Sequence, residues 1–172
     1  MTSGVIVSDE WTLDPATLGL KPQVFRGTLA PGDLPRLREL VASPEGELRV
    51  EVSARLDPQR GKVVSCIIKG FAQLTCQSTL EVFRHDIEVR DRLVLVDEES
   101  ALPPIEAESE EEDYVVADGP MDVRTLVEDA VILALPMIPR KPGAETPGEL
   151  AEHPAAGEPR KESPFAALKR PK

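Results

Sequence analysis

Aromatic and positively charged side chains are scarce in this 172-residue chain. Aromatic residues make up only 3% of it, and 20 basic residues stand against 31 acidic ones, which gives a formal net charge of −11. Surfaces that bind nucleic acid usually combine basic patches with aromatic platforms on which bases stack. The composition therefore argues against a broad nucleic-acid-binding surface and favours partners that carry positive charge.

The chain also lacks a long apolar run and contains little cysteine or histidine. No segment approaches the roughly 18 apolar residues of a membrane-spanning helix, and no basic region precedes an apolar stretch at the N-terminus. We therefore expect a cytoplasmic protein without a membrane partner. The two cysteines, Cys66 and Cys76, give no disulfide framework, and with two histidines they make a four-ligand zinc site improbable. We expect no metal and no other cofactor.

The clearest periodic segment lies at residues 122–135. Its apolar residues recur at spacings of three and four, as on one face of an amphipathic helix: Val123, Leu126, Val127, Ala130, Leu133 and Ala134. Asp122 is a suitable N-cap, because its carboxylate can accept a hydrogen bond from the first turn. Pro136 has no N–H and disfavours helix in the residue before it, so the helix is predicted to end near Leu135.

Alternating apolar and polar residues predict three consecutive antiparallel strands within residues 47–96. The sequence Asp-Pro-Gln-Arg-Gly at residues 57–61 is suited to a hairpin connection. Gly70 lies inside the second strand and is a candidate for a bulge. Asp91 shares the apolar face of the third strand, which predicts a bend or bulge there. The pattern indicates a β-meander.

The predicted fold class is α+β, with this antiparallel sheet packed by two or three helices. A short strand is predicted at residues 23–29, and a smaller helix at residues 33–41 with Asp33 as its N-cap. The helix at residues 122–135 is expected to cover one face of the sheet, while the other face stays in water. Residues 1–139 form the predicted domain.

Two segments have the composition of disordered chain. Residues 97–113 contain nine acidic side chains and no basic one, which predicts a mobile acidic loop. Residues 140–172 are rich in proline, glycine, alanine and charge, and are predicted to be a disordered tail. The sequence Ser-Pro-Phe-Ala-Ala-Leu near its end places Phe165 and Leu168 three residues apart, the spacing of one helical turn docked in a groove.

Three short motifs now stand in order along the chain. They are Cys76-Gln-Ser-Thr79 after a β run, Glu128-Asp129 followed by Leu133-Ala-Leu-Pro136, and Ser163-Pro-Phe-Ala-Ala-Leu168. Together they resemble the YceD family of large ribosomal RNA subunit accumulation proteins. The resemblance implies a role in the synthesis, processing or stability of large-subunit (23S) ribosomal RNA, with no established enzymatic activity.

The chain departs from the family pattern at positions that could bind metal in its relatives. The family usually has a second cysteine where Thr79 stands, and many members carry a histidine and a cysteine after the Leu-Pro-x-x-Pro exit. Arg140 and Lys141 follow that exit in this chain, and no cysteine lies downstream. If relatives bind metal through those positions, this chain is expected to have lost that ability.

We therefore expect a non-catalytic ribosome-biogenesis factor. It would bind a basic ribosomal protein or a large-subunit assembly intermediate, and ribosomal RNA would be contacted indirectly. The predicted contact residues are Glu128, Asp129, Leu135, Pro136, Met137, Pro139, Phe165 and Leu168. The two acidic residues lie off the apolar stripe and would engage basic side chains, and the others would supply apolar anchors. For Leu133 and Leu135 core packing is favoured over contact, so Leu133→Ala is expected to cost about 2–5 kcal/mol.

Two alternatives stay open. The first is a direct RNA-binding module that uses Arg49 and Arg55 on the solvent-facing side of a strand, together with the basic residues of the tail. The second is a cysteine-dependent enzyme or redox protein, in which Cys76 pairs with His85 across neighbouring strands.

Overall fold

The computed structural model describes residues 6–7, 11–103 and 113–144. Its strands are β1 Ile6–Val7, β2 Thr12–Leu13, β3 Gln23–Leu29, β4 Ser43–Asp57, β5 Gly61–Thr75, β6 Val82–Val96, β7 Asp113–Val116 and β8 Met121–Asp122. Six of them form one sheet in the order β1-β3-β4-β5-β6-β7, and β2 pairs with β8. The α-helices of the described residues are α1 Pro35–Leu40 and α2 Val123–Ala134. The α+β prediction is confirmed.

The three long strands β4, β5 and β6 form the predicted antiparallel meander. Asp57 pairs with Gly61 at the hairpin, and the register then continues along the strands. The side chains that alternate along each strand divide between two faces. The inner face carries the apolar core and is covered by α2, whereas the outer face carries most of the charged residues.

The two predicted bulges are wrong. Gly70 pairs with Leu48 and Ile87 in uninterrupted register, and Asp91 likewise pairs with Cys66. The irregularity lies instead between Ser43 and Gly46, at the start of β4. Glycine is required at position 70 for another reason: a Cβ atom there would lie 1.7 Å from the carbonyl oxygen of Glu47.

Helix α2 begins and ends where the sequence predicts. The Asp122 carboxylate accepts a hydrogen bond from the Arg124 N–H at 2.8 Å, and the helix ends at Ala134, before Leu135 and Pro136. Its buried face, however, follows another line of residues: Val123, Val127, Glu128, Ala130 and Val131. Leu133 is 84% exposed. The prediction that Leu133 packs in the core is wrong, because the face in contact with the sheet is rotated toward Val131.

Helix α1 does not have the predicted cap. A 3-10 turn at Pro31–Asp33 precedes it, and its N-cap residue is Leu34, whose side chain makes no cap hydrogen bond. The Asp33 carboxylate accepts instead from the Ala30 N–H, at 3.4 Å. A helix N-terminus whose N–H groups are buried needs acceptors from elsewhere. In this protein they come from α2.

The segments predicted to be disordered lie mainly outside the described residues. Residues 104–112 of the acidic loop and 145–172 of the tail belong to this part of the chain. Asp113 already belongs to β7, which pairs in parallel with β6 at the edge of the sheet. No helix in the described ranges is long and apolar enough to cross a membrane.

Candidate functional site

Glu128 fixes the two helices to each other. Its side chain is on the buried face of α2, and the residue is only 4% exposed. Oε1 accepts hydrogen bonds from the backbone N–H groups of Arg36 at 2.6 Å and Leu37 at 3.0 Å. Oε2 accepts from the Arg36 Nε–H at 3.1 Å. The carboxylate therefore supplies the acceptors that α1 lacks in its own sequence.

The predicted position of Glu128 on the polar, solvent-facing side of the helix is wrong. Burial alone would raise the pKa of this carboxyl group, but the hydrogen bonds from Leu37 and Arg36 outweigh burial and lower its pKa. The group is thus held ionised inside the protein by the first turn of α1. The next residue, Asp129, is half-exposed and forms an ion pair with Arg36, with 2.7 Å between Oδ1 and Nη1.

The segment that follows α2 carries exposed apolar side chains. Leu135 packs against both clusters of the core, whereas the next three residues point outward. Met137 is fully exposed and Ile138 is 60% exposed. We call Pro136, Met137 and Ile138 the exit patch. Pro136 and Met137 were predicted as contact residues, whereas Ile138 was not.

The exit patch is fixed by hydrogen bonds on its far side. The Pro139 carbonyl accepts from the Gln77 N–H at 2.9 Å. The Lys141 N–H donates to the sulfur of Cys76 at 3.4 Å, and the Lys141 ammonium forms an ion pair with Glu81 at 3.0 Å. With Leu135 partly buried against the core on the near side, the patch is a short bridge attached at both ends.

Cys76 is a structural anchor for this bridge. It is fully buried beside Leu74 and Phe83. The Lys141 N–H and then the Thr79 hydroxyl stabilise its thiolate form and lower its pKa to about 7. Burial raises the pKa of the other thiol, Cys66, to about 12. Both thiols are buried and form no disulfide.

The register does not bring Cys76 and His85 together. His85 pairs with Ala72, four residues before Cys76, a separation of about 13 Å along a strand. Its ring lies instead edge-on to Phe83, with 6.4 Å between ring centroids. No group of three or more histidine, cysteine or acidic residues in the described ranges is arranged to hold a metal ion.

An apolar groove of about 420 Å³ lies between α2 and the β6–β7 edge of the sheet. We call it the edge groove. Its apolar walls include Leu93, Val115, Leu126 and the exposed Leu133. Its carboxylates are Asp91, Asp113 and Asp129. Burial, and next the charge of Asp113, raise the pKa of Asp91. This groove was not predicted from the sequence, because Asp91 was interpreted as a bulge and Leu133 as a core residue.

The outer face of the sheet carries mixed charge with a basic excess. The strand registers place on it seven basic residues, Arg26, Arg49, Arg55, Lys69, Arg84, Arg90 and Arg92, and five acidic residues, Glu47, Glu51, Asp57, Asp86 and Glu88. Arg49 and Arg55, the arginines of the RNA-binding alternative, pair with carboxylates of their own strand at 3.2 and 3.1 Å. The remaining predicted contact residues, Phe165 and Leu168, lie outside the described part of the chain.

Comparison with known proteins gives one family. The family model described as large ribosomal RNA subunit accumulation protein YceD matches residues 64–170, which span β5, β6, α2 and the tail motif. A protein of Haemophilus influenzae with the same name is 29% identical over 131 residues, covering 74% of this chain and 73% of its own length. No solved structure matches the chain. The chain belongs to the YceD family.

Proposed function

We propose that this protein is a non-catalytic factor that supports accumulation of the large-subunit ribosomal RNA by binding an assembly partner. The partner would be a basic ribosomal protein, or an assembly intermediate that presents one. The role in rRNA accumulation follows the name of the family, and the mode of action rests on the exit patch. The single observation that carries it is the full exposure of Met137, on a segment attached at both ends.

An exposed apolar segment of this kind fits a binding site better than a solvated turn. Exposed apolar side chains gain nothing from folding, whereas their burial against a partner is favourable, and contiguous exposed ones usually mark interaction surfaces. The contacts of Leu135, Pro139 and Lys141 hold the backbone in place before a partner arrives. Pre-organisation lowers the entropy lost on binding, so a small patch can contribute useful affinity.

Charge decides the class of partner. The net charge of −11 attracts basic proteins over long range and repels the RNA backbone. Beside the patch, the Lys141 charge is paired locally with Glu81. Long-range attraction would therefore bring a basic partner to the protein, and the apolar side chains would supply the contact.

Complementation of cells that lack the protein tests this proposal. Met137→Ser/Ile138→Ser should fail to restore the ratio of large- to small-subunit rRNA, since both side chains are exposed and their loss leaves the core intact. Leu40→Ser, which changes an exposed leucine on α1, is the matched control and should restore the ratio. Cys76→Ser should also restore it, because serine keeps an acceptor for the Lys141 N–H, and the thiol is an anchor in this proposal and not a reactive group. Restoration by the exit-patch variant would overturn the proposal.

The outer face of the sheet supports a second candidate, direct RNA binding. Its basic residues outnumber its acidic ones by seven to five, and exposed ion pairs are worth only about 0–1 kcal/mol, so phosphates could replace the carboxylates. Arg49→Gln/Arg55→Gln in the full chain tests this candidate. If RNA binds there, affinity for large-subunit rRNA should fall and the salt dependence should become shallower by about two phosphate contacts. An unchanged salt slope would exclude this face.

A further inference from the structure

The edge groove combines apolar walls with carboxylates. Val115, Leu126 and Leu133 present hydrocarbon to the space, although Leu133 is 84% exposed. Asp91 is half-buried in the groove, and no residue in the described ranges donates a hydrogen bond to it. Asp113 lies beside it at the start of β7. A ligand that suits the groove therefore has apolar side chains followed by positive charge.

The C-terminal segment of the same chain has this chemistry in one short run. Phe165 and Leu168 are three residues apart, the spacing of residues that share one side of a helical turn. Lys169, Arg170 and Lys172 follow directly. Two apolar anchors next to three cations complement apolar walls next to carboxylates.

The length of the intervening chain allows the segment to reach the groove. Residues 145–164 separate the last described residue, Ala144, from Phe165. A random-coil chain of 20 residues has an end-to-end distance of about 25 Å. Helix α2, along which the groove runs, is about 18 Å long. Such a linker gives an effective concentration on the order of millimolar, so an intrinsic Kd of about 1 mM is enough for half occupancy.

We propose that residues 165–172 dock in the edge groove of their own chain, with Phe165 and Leu168 against Leu126 and Leu133, and the basic residues beside Asp91 and Asp113. This inference goes beyond the proposed function, because it concerns a contact within one molecule and would stand if the exit patch had no partner. Docking would place the tail near the exit patch in the chain, since Leu133 and Met137 are four residues apart.

Methyl NMR spectra of the full chain test the docking by observing the groove while the tail is changed. Phe165→Ala/Leu168→Ala should shift the signals of Val115, Leu126 and Leu133 and leave those of the remote core unchanged. Leu150→Ala, in the tail but outside the motif, is the matched control and should shift none of them. Groove signals that do not respond to the motif substitutions would overturn the proposal.

Hydrogen exchange tests the same contact by observing the amides of the tail while the groove is changed. Amides of residues 165–168 should exchange several-fold more slowly in the wild type than in Leu133→Ser, whereas Leu40→Ser should keep the protection. Protection must also be independent of protein concentration. If it grows with concentration, the tail binds a second copy, which contradicts docking within one chain.

Reversing the charges of the tail and the groove distinguishes specific docking from nonspecific hydrophobic association. Lys169→Glu/Arg170→Glu should weaken protection, and adding Asp113→Lys should restore part of it, because the new lysine faces the new carboxylates. Absence of any rescue, in a variant whose core signals are unchanged, would contradict the predicted orientation of the tail.

Discussion

Glu128 shows how far a single side chain can depart from its place in a sequence pattern. It lies off the apolar stripe of α2, and its burial becomes understandable only with the N-terminus of α1 in place. Burying a charge is costly unless it is paired and hydrogen-bonded, and this carboxylate meets three N–H donors. It therefore joins α1 to α2.

Removal of this carboxylate should destabilise the protein strongly. Glu128→Ala leaves two backbone N–H groups of α1 without an acceptor, so we expect a loss of about 2–4 kcal/mol in the free energy of unfolding. Asp129→Ala, which removes only an exposed ion pair with the same arginine, should cost less than about 1 kcal/mol. Urea unfolding measures both, and equal losses would contradict the role assigned to Glu128.

Leu133 and Val131 test the observed orientation of α2. Leu133 is 84% exposed, so Leu133→Ala should change the free energy of unfolding by less than about 0.5 kcal/mol, and not by the amount expected from the sequence pattern. Val131 is fully buried, and Val131→Ala should cost about 1–3 kcal/mol through lost burial and a cavity. The reverse order of the two losses would mean that the helix is rotated.

The lowered pKa of Cys76 predicts that the stability of the protein depends on pH. Its folded-state pKa of about 7 lies below the ordinary value of 9.0, because donors from Lys141 and Thr79 favour the thiolate. The folded state therefore loses the proton at lower pH than the unfolded state. The stabilisation grows from about pH 7 to about pH 9 and is lost as pH falls through 7.

Urea unfolding at these two pH values measures this effect. The wild type should gain more stability between pH 7 and 9 than Cys76→Ala gains. Cys66→Ala is the control and should keep the gain, since Cys66 has a raised pKa and titrates only at higher pH. An identical pH profile for the wild type and Cys76→Ala would show that the donors do not stabilise the thiolate.

At the scale of elements, the close approach of β4 and β5 depends on Gly70. A Cβ atom at this position would lie 1.7 Å from the Glu47 carbonyl oxygen, so Gly70→Ala must force the two strands apart. We expect a loss of about 3 kcal/mol or more, measured by thermal or urea unfolding. Gly119→Ala is the control, because nothing lies within 4 Å of its Cβ position. A tolerated Gly70→Ala would contradict the observed register.

The elements themselves were largely predictable, because their signals are local. Period-two alternation identified β4, β5 and β6, and an N-cap with a proline stop identified α2. The cap of α1 was not predictable, since its acceptor lies 91 residues away from Leu37. The two bulges were predicted wrongly because other causes give the same sequence signal as a bulge. Gly70 lies where two strands approach closely, and Asp91 is a half-buried carboxylate.

The functional surface was predicted less well than the fold. Met137 was among the predicted contact residues, and it lies in the proline-flanked segment that follows α2. Tertiary packing decides which side of α2 faces the sheet. Leu133 was therefore predicted in the core but is exposed, and Glu128 was predicted on the surface but is buried. The edge groove combines residues from β6, β7 and α2, and no local pattern brings them together.

At the scale of the whole molecule, two surfaces of opposite character are candidates for the proposed partner contact. The exit patch is apolar and suits a protein partner, whereas the outer face of the sheet is charged and suits phosphates. The helices and the core cluster lie on the inner side of the sheet, away from its outer face. Substitutions on one surface should therefore leave the other unchanged, and their effects on binding can be compared directly.

The most direct test measures the affinity of the full chain for purified large-subunit precursor particles at one fixed salt concentration. Met137→Ser/Ile138→Ser should weaken binding by about tenfold or more, whereas Arg49→Gln/Arg55→Gln should keep it within about twofold of the wild type. The opposite pattern, with loss of affinity in the arginine variant and wild-type affinity in the exit-patch variant, would contradict a protein-binding role and assign the interaction to RNA.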